Sequence, residues 1–324
     1  MENKQEELLD LVIIGAAAAG SAAAIYASRR NLKFVIVAKD VGGEVALSGE
    51  VGNWPGIIET TGYQLAQDFR KHVESYGTKI EEGFTVTAIK QEKNYHLVTA
   101  KNFLEEEKIY KTKTVIIASG IHPRNLHIPG EDELRGRGVT YCTVCDGPLF
   151  KEKTTTTIGA GNAAIESALM MAGIAKKVYL ITKFPNTKET LGGFPKAETI
   201  LVDKVKKLEN VEIIYNANTT EILGKDKLDG LKYVDNDSKE EKEIETDGIM
   251  VHIGMIPNSD FVTCGTKNPS GEIEVDIKCQ TSCKGVFAAG DVTNIPYKQI
   301  VISAGQGVTA ALSAIEYINK WEDQ

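Results

Sequence analysis

The chain opens on an aliphatic run, Leu11-Val12-Ile13-Ile14, followed by the small-residue turn Gly15-Ala16-Ala17-Ala18-Ala19-Gly20. Four consecutive aliphatic residues bounded by glycine predict a buried strand. The alanine-rich stretch behind the turn predicts a helix to about Arg30. A second strand is predicted over 33–38, and strands alternating with helices predict a parallel sheet. Beyond Trp54-Pro55-Gly56 a helix is expected over 62–76. Shorter β-like runs follow over 85–90, 96–100 and 108–113, and a strand over 114–118 ends at Ser119-Gly120. The pattern then restarts. A β-branched strand over 154–158 leads into Gly159-Ala160-Gly161-Asn162-Ala163-Ala164 and a helix that Gly173 caps. A strand over 178–182 continues this second unit, and the chain leaves it around 249–254. The charged run 235–245 predicts a solvated hairpin. A strand over 285–289 ends at Gly290-Asp291, and a helix over 303–318 closes the pattern.

At 324 residues the chain suits two domains rather than one. Its composition, 42% hydrophobic and 25% charged, is that of a globular protein. A net charge of -8 argues against general nucleic-acid binding, which needs a basic surface. The small and apolar stretch 8–27 imitates a signal peptide or membrane span. Glu2, Glu6 and Glu7 stand where a signal peptide is basic, Asp10 interrupts the run, and the stretch divides into strand, turn and helix. No other segment is long and apolar enough to cross a bilayer, so neither membrane nor export is expected. Five cysteines over this length do not make a secreted disulfide scaffold and fit a reducing, cytoplasmic setting.

Two features carry chemistry. In a dinucleotide fold the first glycine of the turn makes the tight bend and the second lets backbone approach a pyrophosphate. The third position packs helix on strand, and the helix N-terminus faces the phosphates. Gly159-x-Gly161-x-x-Ala164 matches that pattern; the first copy keeps Gly15 and Gly20 but has Ala17 in the middle. The second feature is Cys142-Thr143-Val144-Cys145-Asp146. Two thiols so spaced can close and reopen a disulfide, and Asp146 can exchange protons with the leaving sulfur or cap a helix. A mixed zinc site with Cys264, Cys279 or Cys283 is the alternative, but zinc usually recruits a second nearby pair, so no metal site is assigned. Cys279 and Cys283 precede a strand and are read as packing thiols, while Cys264 stands apart. His252 lies in an apolar strand and is read as structural, as is Trp54.

With Gly42-Gly43-Glu44, Val51 to Gly56, Ala118-Ser119-Gly120, Gly254 with Pro257-Asn258, and Tyr297-Lys298-Gln299 added in order, the chain resembles the low-molecular-weight thioredoxin reductases over nearly its full length. The resemblance implies an α/β fold of two Rossmann-like domains, each with a small antiparallel element. A discontinuous FAD domain (1–122 and 251–324) would carry an inserted NAD(P)-binding-like domain (123–250) that holds the CxxC motif. It implies that FAD is bound by Gly15, Ala17, Ala19, Gly20, Gly43, Glu44, Asn53, Ala118, Gly120, Gly290, Asp291, Lys298, Gln299 and Ala304. NAD(P) would meet Gly159, Gly161, Asn162, Ala163, Lys183 and Lys188. Cys145 would lie against the flavin, Cys142 would attack thioredoxin, and Asp146 would be the acid–base residue. Hinges near 120–124 and 249–254 and a homodimer are implied as well.

The chain departs from that family in three places, the first being Ala17 in the middle position of the FAD turn, where the family has glycine. No acid stands at Ala38-Lys39, where a carboxylate usually holds a ribose hydroxyl. The arginine cluster that clamps the 2′-phosphate of NADPH is replaced by Thr182-Lys183-Phe184-Pro185-Asn186-Thr187-Lys188. The leading expectation is therefore a thioredoxin-disulfide reductase fed by NADPH or NADH. A nicotinamide-independent enzyme fed by ferredoxin or a deazaflavin is the alternative. A flavoprotein whose nucleotide domain is a vestigial binding or sensing module is a third. An alkyl hydroperoxide reductase flavoprotein is disfavoured, because it is expected to carry an additional redox domain before the flavin fold.

Overall fold

The computed structural model describes residues 7–322, so Glu2 and Glu6 lie outside the described residues. The described chain divides into two compact units. One comprises the residues up to Ser48, Trp54–His122 and those from Ile256 on; the other comprises Gly49–Asn53 and Pro123–Met255.

The first unit is built on a seven-stranded sheet. Its spatial order is Ile80–Glu82, Phe34–Val41, Leu9–Ala16, Glu107–Ile117, His96–Lys101 and Thr85–Gln91, with Val286–Ala288 also paired to Glu107–Ile117. The aliphatic opening run lies at the centre because both its faces are covered. Ile13 pairs with Ile36 on one side and Ile116 on the other, and Leu11, Val12 and Ile13 are fully buried. Each such side chain contributes roughly 1.5–3 kcal/mol relative to exposure. The stretches 108–113 and 114–118, expected as separate elements, form one strand, Glu107–Ile117. Its first half pairs antiparallel with His96–Lys101 and its second half parallel with Leu9–Ala16, which explains the change of residue pattern along it.

The helix Ala18–Arg29 buries Ala19, Ala23, Ala24 and Ala27 in one cluster with Ala310, Ala311 and Ala314 of the long helix Ile300–Ile318. Small residues let two helix backbones meet. A β-carbon on Gly307 would stand 2.0 Å from the Ala19 carbonyl oxygen, so no larger residue fits there. The closing helix begins at Ile300, three residues before its expected start at 303.

The second unit has a five-stranded parallel sheet in the order Val139–Thr140, Gly248–Val251, Thr154–Ile158, Lys177–Ile181, Val211–Ile214. The helix Asn162–Ala172 packs on it through Ala164, Ile165, Ala168 and Met171, and ends at Gly173. A three-stranded antiparallel sheet, Ala217–Gly224, Leu228–Asp235 and Glu241–Glu245, packs through Ile222, Leu231 and Ile244. The charged run forms the turn and edge strand of that sheet; Lys242 pairs with Asp235 and only Ile244 of the edge strand is buried. No described helix is long and apolar enough to cross a membrane.

Candidate functional site

Strand Val139–Thr140 delivers the chain to Cys142, and a single helical turn, Thr143–Asp146, follows it. Cys142 and Cys145 form a disulfide with a Cα–Cα distance of 5.3 Å, inside the range a disulfide requires. The Cys145 backbone N–H donates to the Cys142 sulfur at 3.3 Å, so Cys142 caps the turn with its own Sγ. An N–H aimed at that sulfur favours the thiolate over the thiol. The helix is one turn long before it tightens into the 3₁₀ segment Gly147–Phe150. This N–H, which also donates to the Cys142 carbonyl at 3.1 Å, is shared between oxygen and sulfur, and no long helix dipole adds to it.

Asp146 is the last residue of the turn and stands at the N-cap position of the 3₁₀ segment Gly147–Phe150, but its side chain makes no capping bond, which corrects one reading of the sequence. One carboxylate oxygen, Oδ2, accepts a hydrogen bond from the Thr140 hydroxyl, and that hydroxyl in turn accepts the Cys142 N–H at 3.1 Å. The other oxygen, Oδ1, is buried without a hydrogen-bond partner. Burial pushes the Asp146 carboxyl above the usual carboxylate range; the Thr140 bond opposes this and the nearby Glu50 charge adds to it. A cavity of about 380 Å³ borders this carboxyl and is lined also by Glu50, Thr140, Phe150 and Lys153. A carboxyl so placed can hold a proton and pass it to a neighbouring sulfur.

Beneath the turn, Thr143 Oγ1 lies 2.7 Å from His252 Nε2 and 2.6 Å from Ser167 Oγ. Burial lowers the His252 pKa to about 4, so the ring is neutral near pH 7. His252 follows the strand Gly248–Val251, and Ser167 sits on the helix Asn162–Ala172, so this network ties the dithiol turn to both. Sequence reasoning gives no role to Thr140, Thr143 or Ser167. Hydroxyl residues are common and only the fold gives these their partners.

The nucleotide-type turn of the same unit is built as its pattern requires. Gly159 has φ +153°, and a β-carbon there would stand 2.2 Å from the His252 carbonyl oxygen. Gly161 is extended instead, and the helix it opens carries no side-chain cap, which leaves the first N–H groups to an anion. Asn162 and Glu198 hold each other: Glu198 N–H donates to Asn162 Oδ1 at 2.7 Å, and Asn162 Nδ2 donates to Glu198 Oε1 at 3.1 Å. Ala163 is exposed on the first turn of the helix, and Lys183 and Lys188 are exposed beyond the strand Lys177–Ile181. A third basic residue, Lys196, bridges its backbone to Gly161. Sequence spacing pointed to Lys188, which lies in the turn 187–190; the ordered loop between them brings Lys196 to the glycine turn.

In the first unit, the turn residues converge. A β-carbon on Gly15 would stand 2.3 Å from the Ala118 carbonyl oxygen, and one on Gly290 would stand 3.1 Å from Ala19 Cβ. Gly20 packs against the Gly15 carbonyl. Ala17 is extended (φ -95°, ψ -158°), a conformation alanine adopts without strain, and its methyl lies beside Gly43. The helix Ala18–Arg29 has no side-chain cap either. Asp291 accepts from Ser303 Oγ at 2.8 Å, and burial raises its carboxyl above the usual range. Lys298 is engaged: it donates to the Thr293 carbonyl and pairs with Glu272 at 2.8 Å. Glu44 lies on the short helix Gly43–Ala46, Gln299 stands at the N-cap position of the closing helix without a side-chain capping bond, and Ala304 lies in its first turns. Gly120 lies open at the end of the 107–120 stretch, and Asn53 falls in the segment Gly49–Asn53 of the second unit. The second strand runs to Val41, past its expected end, so Asp40 is an acid at its terminus; its Oδ1 accepts the Gly43 N–H at 3.2 Å.

The cysteines also regroup. Cys279 is a buried free thiol, as a packing residue would be; Cys283 packs at the edge of an apolar cluster and also stands against Cys264, with 5.9 Å between Cα atoms. The loop after residue 258 folds back on the segment 281–283, a proximity that sequence spacing does not reveal.

Two uncapped glycine turns, each between a parallel strand and a helix, together with a disulfide beside a buried acid, define a dinucleotide-fold disulfide protein. The chain belongs to the pyridine nucleotide-disulphide oxidoreductase family, whose model matches residues 9–311. It is 38% identical over 323 residues to the alkyl hydroperoxide reductase F subunit of Escherichia coli, covering 98% of this chain and 60% of that protein. The chain thus spans about 60% of the length of that relative. Thioredoxin reductase from Streptococcus pyogenes superposes with a TM-score of 0.89 at 30% identity, covering 98% of this chain and 100% of that one. A ferredoxin-flavin thioredoxin reductase from Clostridium acetobutylicum matches with a TM-score of 0.51 at 32% identity, covering 97% and 98%. The architecture is that of the low-molecular-weight thioredoxin reductases.

Proposed function

We propose that this chain is a flavin-dependent disulfide reductase that carries electrons from a nicotinamide nucleotide through Cys142–Cys145 to thioredoxin or a thioredoxin-like protein. The observation that carries the reading is the disulfide with Asp146 beside it, in the same unit as an uncapped Gly159–Ala164 turn. The first unit suits FAD: its glycine turn, the Gly290 approach to Ala19 and the buried Asp291 leave backbone N–H groups and a carboxylate around one uncapped helix start. FAD held there would supply a two-electron carrier for disulfide reduction.

This chain's residues do the rest. Opening the disulfide yields two sulfurs, of which Cys142 is the one whose anion the Cys145 N–H stabilises. That thiolate attacks the acceptor disulfide and expels one acceptor thiolate, and Cys145 then attacks Cys142 Sγ of the mixed disulfide, expelling the second acceptor thiolate and restoring the internal disulfide. Asp146 holds the proton that must leave and return in this cycle, with Thr140 fixing the carboxylate's orientation. Gly161 would let a pyrophosphate approach, with Lys196 paired to it through backbone and Lys183 and Lys188 exposed beyond the strand Lys177–Ile181.

Stopped-flow mixing of the flavin-loaded protein with NADPH, NADH and reduced ferredoxin tests the donor. Bleaching by a nicotinamide is expected. If neither nicotinamide acts at millimolar levels and ferredoxin does, the donor reading fails; the 32% identity to the ferredoxin-flavin enzyme favours that second reading. Replacing Cys142 with serine should abolish thioredoxin reduction; survival of that activity would sink the dithiol relay. The 38% identity to the alkyl hydroperoxide reductase F subunit favours a further acceptor, the partner protein of such a peroxide-reducing enzyme. Direct competition between the two acceptors decides between them. We assign the chain to a homodimeric, cytoplasmic enzyme on the same family grounds, with sedimentation as the check on its mass.

A further inference from the structure

Three cysteines lie outside the dithiol turn, and the fold treats them differently. Cys279 is 2% exposed, its sulfur lies 3.6 Å from the Gln306 carbonyl oxygen, and burial pushes its thiol up to about 11. Such a thiol is a poor nucleophile. Cys264 and Cys283 are only half buried, at the rim of the apolar cluster around Val262, Ile273 and Val286. Nineteen residues apart in sequence, they stand 5.9 Å apart at Cα, inside the range in which a disulfide forms without moving backbone.

One bond that does not involve sulfur ties the two segments together, and two more fix the backbone of the second. Thr266 N–H donates to Ser282 Oγ at 3.0 Å, Thr281 Oγ1 donates to the Val286 carbonyl at 2.8 Å, and Cys283 N–H donates to Thr281 Oγ1 at 3.1 Å. The thiols therefore stay juxtaposed whether or not they are joined. A pair that is pre-positioned, reachable from solvent and independent of the surrounding hydrogen bonds meets the physical conditions for reversible exchange.

We propose that Cys264 and Cys283 are a second redox site, located in the first unit and separate from Cys142–Cys145, which a hydroperoxide closes and a small dithiol opens. In the closing step one thiolate attacks the peroxide O–O bond, which breaks to release an alcohol (or water) and leaves a sulfenic acid. The second thiol displaces hydroxide from that sulfur, forming the S–S bond and water. The two thiols lose two electrons and two protons in total, and the peroxide takes both. In the opening step an external dithiol is oxidised in their place.

The test is peptide mapping of the folded chain, reduced with dithiothreitol and freed of it. One portion is treated with stoichiometric cumene hydroperoxide and both portions are alkylated with N-ethylmaleimide before digestion. The expected result is a cross-link between the peptides of Cys264 and Cys283 after peroxide, and its loss when dithiothreitol is returned to the folded protein. C264S or C283S should abolish the cross-link, and C279S should leave it intact. Peptides of Cys142 and Cys145 are distinct in mass, so the wild type suffices; a C142S/C145S chain read in parallel excludes exchange through the dithiol turn. Full alkylation of Cys264 and Cys283 after peroxide overturns the proposal. So does a cross-link that resists millimolar dithiothreitol until the protein is unfolded, which marks a structural staple.

Discussion

At the scale of single residues, the site is a contest over one carboxyl. Burial raises Asp146, and the Thr140 hydroxyl pulls it back by donating to the charged form. Replacing Thr140 with valine removes that donor and leaves the Cys142 N–H without its acceptor. The Asp146 carboxyl should then stay protonated to higher pH, visible as an upward move in the pH at which its infrared carbonyl band disappears. Acceptor turnover should fall on the order of tenfold, and Thr140→Ser should restore both. Asp146→Asn, which cannot carry the proton, should cost on the order of 10²-fold or more in acceptor reduction. Cys142, Cys145 and Asp146 were legible because they form an unbroken motif. Thr140 was not, because its role rests on a strand end that brings a common hydroxyl to a particular carboxylate oxygen.

At the scale of elements, the two glycines of the second turn answer to different demands. Gly159 is fixed by the fold: a methyl there meets the His252 carbonyl at 2.2 Å in a backbone conformation that side chains avoid. Gly159→Ala should destabilise the chain by about 2–3 kcal/mol, measured by urea denaturation. A methyl on Gly161 would have 3.7 Å to its nearest neighbour, the Lys196 carbonyl oxygen, so the fold has room for it. Gly161→Ala should leave the urea midpoint almost unchanged and weaken nicotinamide binding on the order of tenfold, read by isothermal titration. Equal loss of stability in both variants would contradict this division of roles. The pattern of strand, glycine turn and helix was legible in both units, since buried parallel strands read as aliphatic or β-branched runs. The continuity of Glu107–Ile117 was not, because one strand changes partners and direction of pairing midway.

At the scale of the molecule, burial of His252 makes stability depend on pH. Its pKa is about 4 when folded, against an ordinary value of 6.5. The unfolded chain therefore binds a proton below pH 6.5 that the folded chain refuses until about pH 4. The His252 contribution to stability should fall as pH drops through that window, by up to about 3 kcal/mol, while the raised carboxyls of Asp146 and Asp291 contribute with the opposite sign as they take up protons. His96, also lowered by burial, adds a slope of the same sign as His252. Urea midpoints from pH 7 to 4 test this, and His252→Gln should remove its share of the slope. Two nucleotide-type units and their order along the chain followed from the repeat of motifs. Which residues each unit recruits did not: 49–53 joins the second unit, and the backbone of Lys196 pairs with Gly161.

The sequence alone determined the family, the paired glycine turns and the disulfide with its neighbouring acid. Each is written in consecutive residues whose backbone demands or chemistry are local. Tertiary structure decided the rest: the Thr140–Asp146 bond, the Thr143–His252–Ser167 network beneath the dithiol, the acid Asp40 at its strand end, and the meeting of Cys264 with Cys283. These depend on which surfaces the hydrophobic core brings together. Burial and distance, which set a carboxyl's proton affinity or a thiol's reactivity, exist only once distant segments have packed.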